Sequence, residues 1–189
     1  MMQKCTCFLV VALMTLLSLP ANAAQVDEYE LKTVYLYNFA LFTIWPSNVF
    51  PEGNSIVICT MGNDQFGSHI EQLQGRTVRG KQLSIRRGVT LEQASSCHIL
   101  YIAENDQEKM AAILEALRGK SVLTVSDITQ TQPKITGGEG NLAIDKASRC
   151  MITLILEDKR LMFEVDSMAV QQAGLTMSSR LLHLARHIY

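Results

Sequence analysis

The sequence predicts an α/β domain: a mainly parallel sheet with helices on both faces and a late antiparallel hairpin. Three observations predict it. Short apolar runs recur at 55–60, 82–86, 98–103 and 121–125. Segments with helical periodicity or helix-start chemistry separate them, and strands alternating with helices make a parallel sheet covered on both faces. Near the C-terminus the runs 150–156 and 161–165 flank Glu157-Asp158-Lys159-Arg160, a polar turn that joins two strands as a hairpin.

The elements follow in order. Leu31, Val34, Tyr35, Phe39 and Phe42 recur at helical spacing and predict a first helix over 27–44. Pro46 stops it, because the residue before a proline is driven from the helical conformation. A turn over 50–54 leads into the strand at 55–60, where Ile56-Val57-Ile58 forms a buried run. A short helix is expected at 65–73, then a basic, glycine-punctuated stretch before the strand at 82–86. Thr90 can cap a short helix that has Glu92 and Gln93 in its first turn. A helix over 106–117 places Met110, Ile113, Leu114 and Leu117 on one face. A further strand is expected at 141–145, and helices at 167–173 and 178–187, separated by Gly174.

The N-terminus predicts export. Lys4 precedes the apolar run 8–19, Pro20 breaks it, and Ala21-Asn22-Ala23 places small residues where a signal peptidase reads them. The run is too short for a membrane anchor, which needs about 20 apolar residues. Residues 1–23 are therefore expected to be a signal peptide, leaving one domain over 24–189 in the bacterial periplasm. Cys5 and Cys7 precede the apolar run, so no lipid-modified cysteine is expected at the cleavage site. The chain of 189 residues is 48% hydrophobic and 19% charged, which excludes a disordered chain. Its formal net charge of −1 excludes a global attraction to nucleic acid or anionic lipid. Removing Cys5 and Cys7 leaves Cys59, Cys97 and Cys150, an odd number that permits at most one internal disulfide.

The search for chemistry is mostly negative. No nucleophile elbow, P-loop or dinucleotide-binding fingerprint occurs, so neither an enzyme nor a cofactor is expected. Gly137-Gly138-Glu139-Gly140 shares only three residues with the Gly-Gly-Asp/Glu-Glu-Phe signature of diguanylate cyclases and reads as a glycine turn. His183 and His187 can share one face of the last predicted helix, but no further ligand is placed by any motif, and no metal is expected. Arg76, Arg79, Lys81, Arg86 and Arg87 form a basic cluster, read either as an edge strand protected by charge or as a surface for an acidic partner or anionic lipid. Ser126-Asp127 follows the strand at 121–125, where α/β proteins place ligands.

The aromatic residues are the sharper signal. Tyr29, Tyr35, Tyr37, Phe39, Phe42 and Trp45 crowd the first helix and its exit. Tyr35, Tyr37 and Trp45 do not share a stripe, so a buried helix and a partner interface are both open readings. Glu164 and Asp166 alternate with Phe163 and Val165, which in a half-buried strand directs the acids outward. Tyr37, Trp45, Glu164 and Asp166 are thus the candidate partner-binding residues.

The same residues carry a family resemblance. Tyr35-Leu36-Tyr37-Asn38-Phe39 with Thr43-Ile44-Trp45-Pro46, Cys97 to Ile102, and Leu123-Thr124-Val125-Ser126-Asp127 resemble motifs of the YfiR family. So do Leu161-Met162-Phe163-Glu164-Val165-Asp166 and the run from Leu175 to Leu182. The likeness spans nearly all of the expected domain, in order. It implies a periplasmic, homodimeric repressor that binds the periplasmic part of an inner-membrane diguanylate cyclase. An outer-membrane, peptidoglycan-binding lipoprotein is implied as a second partner that sequesters it. The alternative is a periplasmic small-ligand-binding module with a pocket at the C-terminal ends of the parallel strands. The resemblance also implies a Cys59–Cys97 disulfide, and of a second, later pair only Cys150 remains. With Cys59 ending one strand and Cys97 beginning another, a parallel sheet sets them at opposite ends, so a strand boundary or a neighbour assignment has to give way.

Overall fold

The structure is a computed structural model and describes residues 27–50, 55–103, 107–128 and 149–189. Its chain order is α1 (Glu28–Phe42), β1 (Thr43–Ile44), β2 (Ser55–Gly62), β3 (Thr77–Val78), β4 (Lys81–Arg86), α2 (Leu91–Ala94) and β5 (Ile99–Ala103). There follow α3 (Gln107–Ala116), β6 (Leu123–Ile128), β7 (Ile152–Glu157), β8 (Arg160–Val165), α4 (Ser167–Gln172), β9 (Thr176–Met177), α5 (Ser179–Leu182) and β10 (His187–Ile188). The large sheet has the order β10-β8-β7-β6-β5-β2-β4-β3. Its parallel core, β4-β2-β5-β6-β7, is the doubly wound order 2-1-3-4-5 in which the chain reverses direction between β2 and β5. The predicted α/β class and the late hairpin β7–β8 are both present.

The alternation of side chains builds two cores. Ile56 and Ile58 of β2, Ile99 and Tyr101 of β5, and Leu123 and Val125 of β6 pack beneath α1, α4 and α5. Val57, Cys59 and Met61, with Leu100 and Ile102, pack on the other face against α2 and α3. Central strands buried on both faces must read as continuous apolar runs, which is why they were visible as such. The hairpin turn has Asp158 and Lys159 at φ 50° and 61°, the paired left-handed residues of a tight two-residue turn.

Several boundaries differ from expectation. α1 stops at Phe42, and Thr43–Ile44 instead pairs antiparallel with Thr176–Met177, as suits a β-branched pair close to a proline. The helix expected at 65–73 is reduced to a 3₁₀ turn at Ile70–Leu73, since Gly67 adopts φ 56° and breaks any longer helix. β6 runs to Ile128, so Ser126 and Asp127 lie within a strand rather than after one. The last helix ends at Leu182, and His187 belongs to β10, paired parallel with β8. His183 and His187 therefore do not share a helix face, and among the described residues no group of three metal-ligating side chains forms. Thr90 caps α2 as expected, and Gln93 bonds back to the Thr90 amide to complete a capping box. The strand expected at 141–145 and the glycine turn at 137–140 lie outside the described residues. No helix of the described residues is long and apolar enough to cross a membrane.

The disulfide joins Cys59 to Cys97, with Cα atoms 6.0 Å apart. The strand boundaries are what give way. β2 extends to Gly62, so Cys59 sits in mid-strand opposite Leu100, and β5 begins only at Ile99, leaving Cys97 in its approach from α2. The bond thus ties the short α2 segment to the central strand. It closes a separation of 38 residues, for which the chain-entropy account gives up to about 4 kcal/mol. Reduction, or the double change Cys59→Ala/Cys97→Ala, should lower the urea-unfolding free energy by about 2–4 kcal/mol. An unchanged denaturation midpoint in reductant would show that the link contributes nothing.

Candidate functional site

The C-terminal ends of the parallel strands are where a doubly wound sheet offers its crevice. Gly62 and Ala103 close the reversal point between β2 and β5; a Cβ on Gly62 would lie 2.5 Å from the Ala103 carbonyl oxygen. Gly62 adopts φ 83°, so glycine is required there for backbone and space alike. Beside it Lys32 of α1 is 1% exposed, pairs with Asp127 of β6, and meets Glu28 one turn earlier at 2.6 Å. Its ammonium also lies 4.5 Å from the Tyr29 ring centroid. Burial pulls the Lys32 pKa downward, but its bonds to Asp127 and Glu28 outweigh that and hold it above the ordinary lysine value. Tyr101, buried beneath and hydrogen-bonded to Asp127, has its phenol pushed far upward by burial first and by the Asp127 charge second.

The cluster is a charged clamp between α1 and the sheet. Its lysine is fully charged, hence a poor nucleophile, and its carboxylates are engaged. Nearby Asp64 accepts from Thr60 at 2.5 Å and from Arg87, also at 2.5 Å. Burial raises its pKa, and these bonds more than reverse the effect, leaving it lowered. A groove elsewhere, lined by Leu114, Leu117, Arg118, Thr124 and Ala173, opens beside the start of β6 rather than at the C-terminal strand ends.

The aromatic residues of the first segment are largely spent on the domain's own core. Tyr35 packs edge-on to Phe163 at 5.7 Å, and its hydroxyl donates to the Leu161 carbonyl at 2.7 Å. Tyr29 meets Phe66 at 5.5 Å. Trp45 is 6% exposed, and its Nε1 donates to the His98 carbonyl at 3.2 Å. It is therefore a strut under the surface. Tyr37 is half-buried, packs against the same core, and has the Arg76 guanidinium 5.5 Å from its ring centroid. The exposed apolar side chain of α1 is Val34.

The two acids divide in the same way. Glu164 points outward from β8, half-buried, and accepts from the Tyr189 hydroxyl at 2.9 Å. Asp166 is not outward: it is 6% exposed and caps α4, accepting from the Ala169 amide at 2.9 Å. The strand ends at Val165, so the alternation that directs Glu164 outward no longer governs Asp166. The structure does not bring Tyr37 and Glu164 together. Tyr37 leans towards the β3–β4 edge, and Glu164 stands at the β8–β10 edge.

Sequence reasoning missed His98. Its Nδ1 accepts from the Val57 amide at 3.0 Å, its ring stacks on Phe50 at 4.8 Å, and Trp45 meets it edge-on. A histidine beside Cys97 carried no periodic signal; its role depends on three separate segments meeting. Cys150 is buried against Met110, and burial pushes its thiol up to about 11.

A family model described as YfiR/HmsC-like matches residues 29–186. No curated protein matches the chain. Among solved structures, the ABC domain in complex with L-Trp from Streptococcus pneumonia shares 7% identity at a TM-score of 0.43. That match spans 72% of this chain and 57% of the other, and so loose a likeness carries no argument.

Two outcomes test the site. Lys32→Met strands two carboxylates against a buried surface and should cost about 3–5 kcal/mol, read by chemical denaturation, whereas adding Asp127→Leu should recover part of the loss. Burial above all, then the charges of Lys81 and Arg86, holds the His98 pKa below the ordinary histidine value, against a bond to Val49 that raises it. The unfolded chain therefore takes the proton first: stability is intact above pH ~6.5 and declines as pH falls through and below that value. Melting curves from pH 7.5 to 5 should show a smaller decline in His98→Asn than in the wild type. Parallel declines would remove His98 from the account.

Proposed function

This chain belongs to the YfiR/HmsC-like family, and we propose on that premise that it is an exported periplasmic protein that binds and represses an inner-membrane diguanylate cyclase, limiting cyclic-di-GMP and biofilm formation. The observation that carries the reading is the family match over 29–186. The signal-like leader at 1–23 supports it, and so does a disulfide suited to an oxidising compartment.

Repression acts by contact. The protein works as a homodimer, its partner is the periplasmic part of the cyclase, and a peptidoglycan-binding outer-membrane lipoprotein competes for it. Tyr37 on α1 is the first contact residue and Glu164 on β8 belongs to a second surface. Trp45 and Asp166 support those surfaces from beneath, the first by holding the β1 exit on His98 and the second by capping α4.

The test uses a strain lacking the gene, complemented with wild type or with Tyr37→Ala. Wild type should lower cellular cyclic-di-GMP. The variant, at equal periplasmic abundance, should leave it raised, since an interface aromatic of this kind is worth on the order of 2 kcal/mol of binding. Wild-type protein that leaves cyclic-di-GMP unchanged would overturn the repressor reading; a fully active Tyr37→Ala would move the contact to the Glu164 surface.

A further inference from the structure

The β3–β4 edge carries more positive charge than its architecture needs. No acidic residue occurs from 77 to 91. Arg87 is neutralised by Asp64 and approached by Glu71. Arg76, Arg79 and Arg86 are exposed and, among the described residues, form no ion pair. They wrap the edge. Arg76 lies over Tyr37 on the α1 face, Arg79 sits at the tip of the β3–β4 turn, and Arg86 donates to Ser96 Oγ at 3.2 Å on the opposite face.

Charge on an edge strand ordinarily blocks strand addition. Here the edge is already blunted by other means: β4 is covered, and the outermost strand, β3, is only two residues long. Thr77 and Val78 pair with Gln82 and Lys81, Leu83 bonds Arg76 and Gly75 through the backbone, and the Ile85 amide donates to Gln74 Oε1 at 2.8 Å. The turn itself has Arg79 at φ 51° and Gly80 at φ 79°, a conformation whose first position favours asparagine, aspartate or glycine over arginine. The cations are thus surplus to sealing the sheet, and one of them occupies a position for which its backbone is ill suited.

The partner's chemistry follows from what the surface lacks. No large apolar side chain is exposed between 74 and 90, the nearest in sequence being Leu91. A specific protein interface needs a desolvated, charge-poor centre. A headgroup layer needs none, and it presents phosphates densely to guanidinium groups that bond them in pairs. We propose that Arg76, Arg79 and Arg86 form a docking surface for the phosphate-bearing anionic headgroups of a membrane face.

The experiment is sedimentation of the full-length exported protein with protein-free vesicles. Vesicles of equal parts phosphatidylglycerol and phosphatidylcholine should retain it and pure phosphatidylcholine should not, and added salt should release it. Each arginine removed should weaken retention roughly fivefold. Arg79→Asn is the decisive single change, because it removes a charge while giving the turn its preferred residue, so its melting temperature should hold or rise as binding falls. Arg76→Gln/Arg79→Asn/Arg86→Gln should abolish retention. Wild type that ignores phosphatidylglycerol, a triple variant that binds like wild type, or capture by a poly-glutamate resin without capture by vesicles would each overturn the proposal. The vesicles hold no cyclase, so failure here leaves the repressor reading standing.

Discussion

Lys32 has to be charged, and it is buried. An ammonium removed from water is costly unless its charge is met at close range, and Asp127 from the sheet and Glu28 from its own helix meet it together. This pairing sets where α1 can lie, because the helix cannot slide or rotate without stranding three charges. The rest of the α1 face follows from that placement. Leu36, Phe39 and Ala40 come down on the sheet, Tyr35 reaches Leu161 and Phe163, and the chain leaves the helix where Trp45 can find the His98 carbonyl. The first helix is locked by charge at its N-terminal end and by aromatic packing at its C-terminal end.

The opposite face is held covalently. Cys59 in the central strand and Cys97 after α2 fasten a four-residue helix that is too short to stay in place by its own hydrogen bonds. His98 links the two halves, since the residue next to the disulfide accepts from the β2 backbone and stacks with the aromatic exit of α1. Three adjacent positions in sequence, 97 to 99, therefore serve the disulfide, the aromatic stack and the α1-side core in turn.

The strands next to the two edges of the sheet are covered by short or irregular segments. On β8 the Leu161, Phe163 and Val165 carbonyls accept from the Tyr35 hydroxyl and from the Arg186 and Tyr189 amides. On β4 the segment around Gln74–Arg76 does the same. The outermost strands, β3 and β10, are two residues each, too short to template an added strand, so recognition falls to side chains.

The sequence by itself determined the class of fold, the central strands, the helix over 107–116 and the β7–β8 hairpin. These depend on local signals: apolar runs for strands buried on both faces, period 3.6 for the helix, a polar four-residue turn between matched strands. The cysteine count permitted one disulfide, and the family resemblance supplied its pairing. Tertiary structure alone decided what each aromatic of the first helix and its exit meets. Tyr35, Tyr37 and Trp45 look alike in the chain, and only the positions of Leu161, Arg76 and His98 separate them. It also decided that Asp166 caps a helix while Glu164, two residues earlier, faces out, and that Thr43–Ile44 and His187–Ile188 become strands. For all of these but the Asp166 cap the physical reason is the same: the partner lies tens of residues away, so no local pattern can announce it; Asp166 caps locally, onto Ala169, once the strand has ended at Val165.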